Sequence, residues 1–216
     1  MAHDPSSASR PIITRCRYIT EWYHGDAILS DVLANPISYS LLPTPYSPLS
    51  NMPTVPFESL SDAARVWVFA SEKPLPDAPA RQLLGEVDRY LEGWKAHGSP
   101  LTCAREWRDD RFLAIGVEGG EASGCSIDGL FRKLTELEPT IGTSLSGGDR
   151  IFYRDSNGRV NGVSRDQFNS LVAKGSVGAE TRVFDTSLTT LEEYRDRFET
   201  SAKNSWHRKL LRGKAD

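Results

Sequence analysis

Between Arg65 and Arg154 the spacing of apolar residues switches repeatedly between the strand period of two and the helical period of about 3.6. The order of those switches restricts the fold more than any other feature of the chain. Arg65 to Ala70, RVWVFA, is β-branched and aromatic, which predicts a half-buried strand. Asp77-Ala78-Pro79 supplies an acid and an early proline for a helix start, and Leu84, Val87, Leu91 and Trp94 extend the helical spacing to His97-Gly98. Leu101 to Arg108 and Arg111 to Val117 flank Asp109-Asp110, a polar turn suited to an antiparallel hairpin. Ile127, Leu130, Phe131, Leu134 and Leu137 predict a second amphipathic helix that stops near Pro139, and Arg150 to Arg154, RIFYR, reads as a fourth strand. The resulting order is strand, helix, strand, strand, helix, strand. It predicts an α+β domain over residues 57–155 of the ferredoxin-like split βαβ type, with two helices on one face of a four-stranded antiparallel sheet.

The flanks read differently. Ser164-Arg165-Asp166-Gln167 is a capping box before Phe168, Leu171 and Val172, Gly175 closes that helix, and a strand containing TRVFD follows. Thr190-Leu191-Glu192-Glu193 is a second capping pattern, followed by Tyr194 and Phe198. Residues 160–211 are therefore expected to form a helical extension packed on the domain. Residues 1–51 have no sustained period, and Pro43, Pro45 and Pro48 deny regular pairing to their last stretch. They read as an extended or disordered leader, with Met52 as a candidate translation start just before the patterned region.

Composition narrows the function classes. The formal net charge of -3 with 25% charged residues gives no reason to expect a nucleic-acid or anionic-membrane partner. No apolar run approaches the roughly 20 residues of a membrane span, and no signal-peptide pattern opens the chain, so a cytoplasmic protein is expected. Cys16, Cys103 and Cys125 are an odd set without regular spacing, which points to reduced thiols.

The candidate chemistry centres on Cys125, in the turn GEASGCSID before the second predicted helix. A thiol at a helix N-terminus is more easily ionised, and the predicted topology brings His97 to the same end of the sheet. Cys125 as nucleophile and His97 as base, with Asp128 or His207 as orienting group, would make a thiol-dependent site. Two other readings stay open. Packing in a tight turn is the reading ranked first for Cys125, ahead of a reactive thiol, and Gly119, Gly120, Gly124 and Ser126 could form a backbone cradle for an anion. His97, Cys103, Cys125 and His207 lack the paired spacing of a zinc site, so no metal and no cofactor are expected.

The segments ARVWVFASEKPL, WKAHGSPL, DRFLAIGV, SGCSID and GSVGAETRVFDTSLTTLEEYRDRF, with the terminal SWH, together resemble a group of small bacterial proteins often labelled automatically as ABC transporter ATPases. The resemblance covers about Phe57 to Leu211. It implies a family of undetermined function and no catalytic residue. The label itself conflicts with the residues, because an ATP-hydrolysing cassette needs a Gly-x-x-x-x-Gly-Lys-Ser/Thr loop to cradle phosphate, and GTSLSGGDR has glycines without the lysine. Two functions are therefore expected in order: a binding or regulatory module for a small ligand or protein partner, using an open sheet face or the glycine-rich edge, and then the thiol-dependent enzyme.

Overall fold

The computed structural model describes residues 54–120, 122, 124–145 and 149–211. The leader, Met52 and Cys16 lie outside these residues. The described chain is an α+β unit with antiparallel sheets. β1 (Arg65–Ala70) is followed by α1 (Asp77–Glu92) and by a hairpin of β2 (Lys95–Ala96) and β3 (Ser99–Pro100). β4 (Cys103–Arg108), β5 (Phe112–Val117) and α2 (Gly124–Ile141) come next. β6 (Arg150–Arg154), β7 (Val160–Ser164), α3 (Arg165–Ala173), β8 (Arg182–Phe184), α4 (Leu191–Arg197) and β9 (Glu199–Ser201) complete the order.

The first sheet has the order β1-β5-β4, with both pairs antiparallel. The Asp109 and Asp110 backbones take φ of 52° and 51°, as a tight hairpin turn of the mirror-image type requires. α1 and α2 cover one face, where Leu83, Val87, Leu91, Leu130 and Leu134 pack on Cys103, Leu113, Ile115 and Val117. Gly129 permits the close approach of these helices, since a Cβ there would meet the Tyr90 hydroxyl at 2.8 Å. Lys133 Nζ and Glu86 Oε2, 2.8 Å apart, add an ion pair across the same seam.

The fourth expected strand belongs to a different sheet. β6 pairs with β7 and β8, and the order β7-β6-β8-β9 makes a second, four-stranded antiparallel sheet. The reason is local. Asp155 Oδ1 accepts from the Asn157 and Arg159 amides, both at 2.9 Å, and Gly158 takes φ 77°, so the chain folds straight back into a β6–β7 hairpin. The short hairpin fills one edge of β6, and β8 fills the other, which leaves no edge for the first sheet. The hairpin spans the interval at which the C-terminal extension was expected to begin.

The second sheet also removes the expected open face. Phe112 and Ala114 of β5, with Val66 and Ala70 of β1, pack against Phe152, Phe184, Leu191, Tyr194 and Phe198. Phe112 lies at the centre, its ring 4.7 Å from Phe184, 5.1 Å from Phe198 and 5.3 Å from Phe152. All six residues of FLAIGV are buried, as a continuous apolar run covered on both faces should be. At the rim, Arg154 donates to both carboxylate oxygens of Glu199 at 2.9 and 3.0 Å and to Asp109 Oδ1 at 3.1 Å, tying the β4–β5 turn to the second sheet. α3 covers the far face of that sheet through Phe168, packed with Ile151, Val177 and Val183.

Helix ends also differ from expectation. α1 stops at Glu92, where the Gly93 and Trp94 amides close the turn on the Tyr90 and Leu91 carbonyls. His97 and Gly98 instead form the β2–β3 turn with φ of 50° and 85°. α2 continues through Pro139 to Ile141 and ends at Gly142, φ 71°, because a proline in the last turn removes only one helical hydrogen bond. Ser164 and Gln167 form the expected reciprocal capping box, whereas Thr190 caps α4 from one side only. No helix among the described residues is long and apolar enough to cross a membrane.

Candidate functional site

The residues singled out in the sequence fall on separate elements. Cys125 is exposed in the first turn of α2, Asp128 is exposed further along that helix, and His97 is exposed in the β2–β3 turn. None of the hydrogen bonds or ion pairs among the described residues links Cys125, Asp128 and His97. α1 does reach this helix end: the Ser126 carbonyl accepts from Trp94 Nε1 at 3.0 Å and from the Tyr90 hydroxyl at 3.3 Å. Gly119 takes φ 70° in a short 3-10 turn that also holds Gly120, and Gly124 opens α2 with open space around it.

Cys103 and His207 are elsewhere and buried. Burial pushes the Cys103 thiol up to about 12, so it stays protonated under the first-sheet helices. His207 packs beneath the second sheet, with Nδ1 2.8 Å from Ser205 Oγ, and burial holds its pKa down to about 4 while Asp185 opposes the shift. Its Nε2 is buried without a partner. No group of three or more His, Cys, Asp or Glu side chains able to hold a metal ion occurs among the described residues.

A different place has the shape of a binding site. A cleft of about 290 Å³ runs along the outer edge of β1. Its floor is Val66 to Phe69; α2 forms one wall through Phe131, Leu134 and Thr135, and the loop Thr186 to Thr189 forms the other. This arrangement follows from the two layers. α2 covers one face of β1 and the loop before α4 covers the other, so the strand edge lies between them. Phe131 is the mouth residue, 46% exposed, with its ring 5.1 Å from that of Phe69.

The backbone of β1 gives the cleft its polar groups. Val66 N–H donates to the Thr189 carbonyl at 3.0 Å and Ala70 N–H donates to the Leu145 carbonyl at 3.1 Å. Both amides therefore point away from β5. Backbone direction alternates along a strand, so the N–H and C=O of Val68 point outward too, into the cleft. Among the described residues neither has a hydrogen-bond partner. On the α2 wall, Thr135 Oγ1 donates to the Phe131 carbonyl at 3.0 Å, and Glu138 Oε1 accepts from Ser144 Oγ at 2.9 Å and from the Leu145 amide at 2.8 Å.

The sequence marked Phe131 only as one of five apolar positions on α2. Those five positions make an apolar stripe of ordinary width for one helix face, so the sequence held no signal separating Phe131 from the core. Val68 carried no signal, because its open backbone depends on which chain segments reach the β1 edge. No family model matches the chain, and neither does any curated protein or solved structure.

Proposed function

We propose that the protein is a binding module, bacterial as the family resemblance implies and cytoplasmic as the sequence pattern suggests, whose site is the cleft along β1. The observation that carries this reading is an apolar recess of ligand size at a sheet edge, with an exposed aromatic at its mouth and, on its floor, a backbone donor and acceptor that no described residue pairs. Apolar walls with a few fixed polar groups are what small-ligand sites use for affinity and orientation. The net charge of -3 favours a small ligand or protein over nucleic acid. The strand order β1-β5-β4 under two helices supports a ferredoxin-like relationship for this half of the molecule, and the missing phosphate loop argues against ATP hydrolysis. The test is binding of the uncharged apolar fluorophore N-phenyl-1-naphthylamine to the folded protein and to a Thr135→Trp variant, whose larger side chain fills the cleft from an exposed position. Saturable fluorescence that falls at least about tenfold in the variant is expected; equal signal in both would remove the reading.

The thiol-dependent enzyme, with Cys125 as nucleophile and His97 as base, remains a second reading because Cys125 is exposed at a helix start. Its test is the pH dependence of Cys125 alkylation in the native protein and in His97→Ala. A rate midpoint near or below pH 7 that rises in the variant would support it, and a midpoint at the ordinary thiol value of about 8.5 in both would remove it.

A further inference from the structure

Building on the cleft reading, we infer that the ligand is a peptide main chain, one residue of which pairs with Val68 as an added strand while its apolar side chain lies against Phe131 and Leu134. The argument is one of hydrogen-bond complementarity at an interrupted edge. Thr189 and Leu145 occupy β1 at Val66 and Ala70, and in the four-residue interval between them, about 13 Å of strand, Val68 has no partner among the described residues. An antiparallel partner residue exchanges two hydrogen bonds with the residue opposite it. Here its N–H would donate to the Val68 carbonyl and its C=O would accept from the Val68 amide.

Few other ligand classes supply a donor and an acceptor at that spacing. A fatty acid or a hydrocarbon would fill the walls but leave the Val68 amide or carbonyl buried without a partner, which costs binding free energy. A carboxylate ligand would meet Glu138 in the wall and no cationic lining side chain. The ligand is therefore uncharged at the paired residue. Its ends must leave the cleft on either side, since the chain at Thr189 and Leu145 blocks a longer strand. This is edge addition reduced to a single residue pair.

The experiment is a titration of ¹⁵N-labelled protein with N-acetyl-leucine N-methylamide, alongside the analogue in which the leucine N–H is replaced by an ester oxygen. Expected are a saturable downfield shift of the Val68 amide proton, binding of the ester at least about fivefold weaker, and a similar loss in Phe131→Ala, whose exposed position leaves the fold intact. Val68→Pro, tolerable where a strand N–H faces outward at an edge, removes the donor itself and should abolish binding as read at the neighbouring Phe69 and Leu134 amides. If the fluorophore binds the cleft but the amide and ester bind equally, the peptide inference falls while the binding module stands. If neither probe binds, the module reading falls with it. A concentration-dependent dimer abolished by Phe131→Ala would overturn the inference in favour of a second copy of the chain as occupant.

Discussion

The two described cysteines test the architecture at the level of single side chains. Cys103 is sealed beneath α1 with its thiol pushed up to about 12, while Cys125 is exposed on the first turn of α2. Native protein should be alkylated at Cys125 within minutes, and Cys103 should react only after denaturation; peptide mass spectrometry distinguishes them, and rapid native labelling of Cys103 would contradict the packing. His207 makes a second residue-scale prediction. Its folded-state pKa of about 4 lies below the ordinary value of 6.5, so the folded protein resists protonation. The associated stability is complete above pH 6.5 and is lost as pH falls through 6.5 toward 4, by a total on the order of 3 kcal/mol. Urea unfolding between pH 7 and pH 4 should show this loss, and His207→Gln should flatten it. A variant with the wild-type pH slope would show that the buried imidazole is not its source.

Among the elements, β5 bears the greatest structural demand because it is covered on both faces. Phe112→Ala would leave a cavity among Phe152, Phe184 and Phe198 and should cost about 3–5 kcal/mol, seen as a lowered urea midpoint with an unchanged slope. A loss below about 1 kcal/mol would mean that the two sheets do not share this core. Such elements were legible in the sequence to the extent that their causes are local. RVWVFA, FLAIGV and the Ser164–Gln167 capping box form where periodicity and caps predict them. The end of α1 was misread because Trp94 continues the helical spacing while packing from outside the helix, and His97-Gly98 signals a tight turn as well as a helix stop. The partner of RIFYR was illegible because a five-residue strand carries no mark of which sheet it joins; Asp155 and Gly158, which decide it, act through backbone geometry.

For the whole molecule, the decisive feature is that residues beyond Arg154 complete the core of what precedes them. Phe184, Leu191, Tyr194 and Phe198 cover Phe112, Ala114 and Val66, so a chain ending at Asp155 would expose that face to water. Such a truncation should fail to give a cooperative melt, and a cooperative transition near the full-length temperature would contradict the two-layer account. The same layering makes the candidate site, since α2 and the loop before α4 approach β1 from opposite faces without meeting over Val68. Sequence reasoning centred the chemistry on Cys125 because a thiol, a histidine and glycines are visible residue types. An open backbone donor and acceptor are visible only once the strand edge is built. That edge is most directly tested by amide hydrogen exchange along β1 in the unliganded protein. The account predicts that Val68 N–H exchanges at least about a hundredfold faster than the amides of Val66 and Ala70, which are bonded to Thr189 and Leu145. Equal protection at all three positions would mean that the edge is closed at Val68 and would contradict the proposed site.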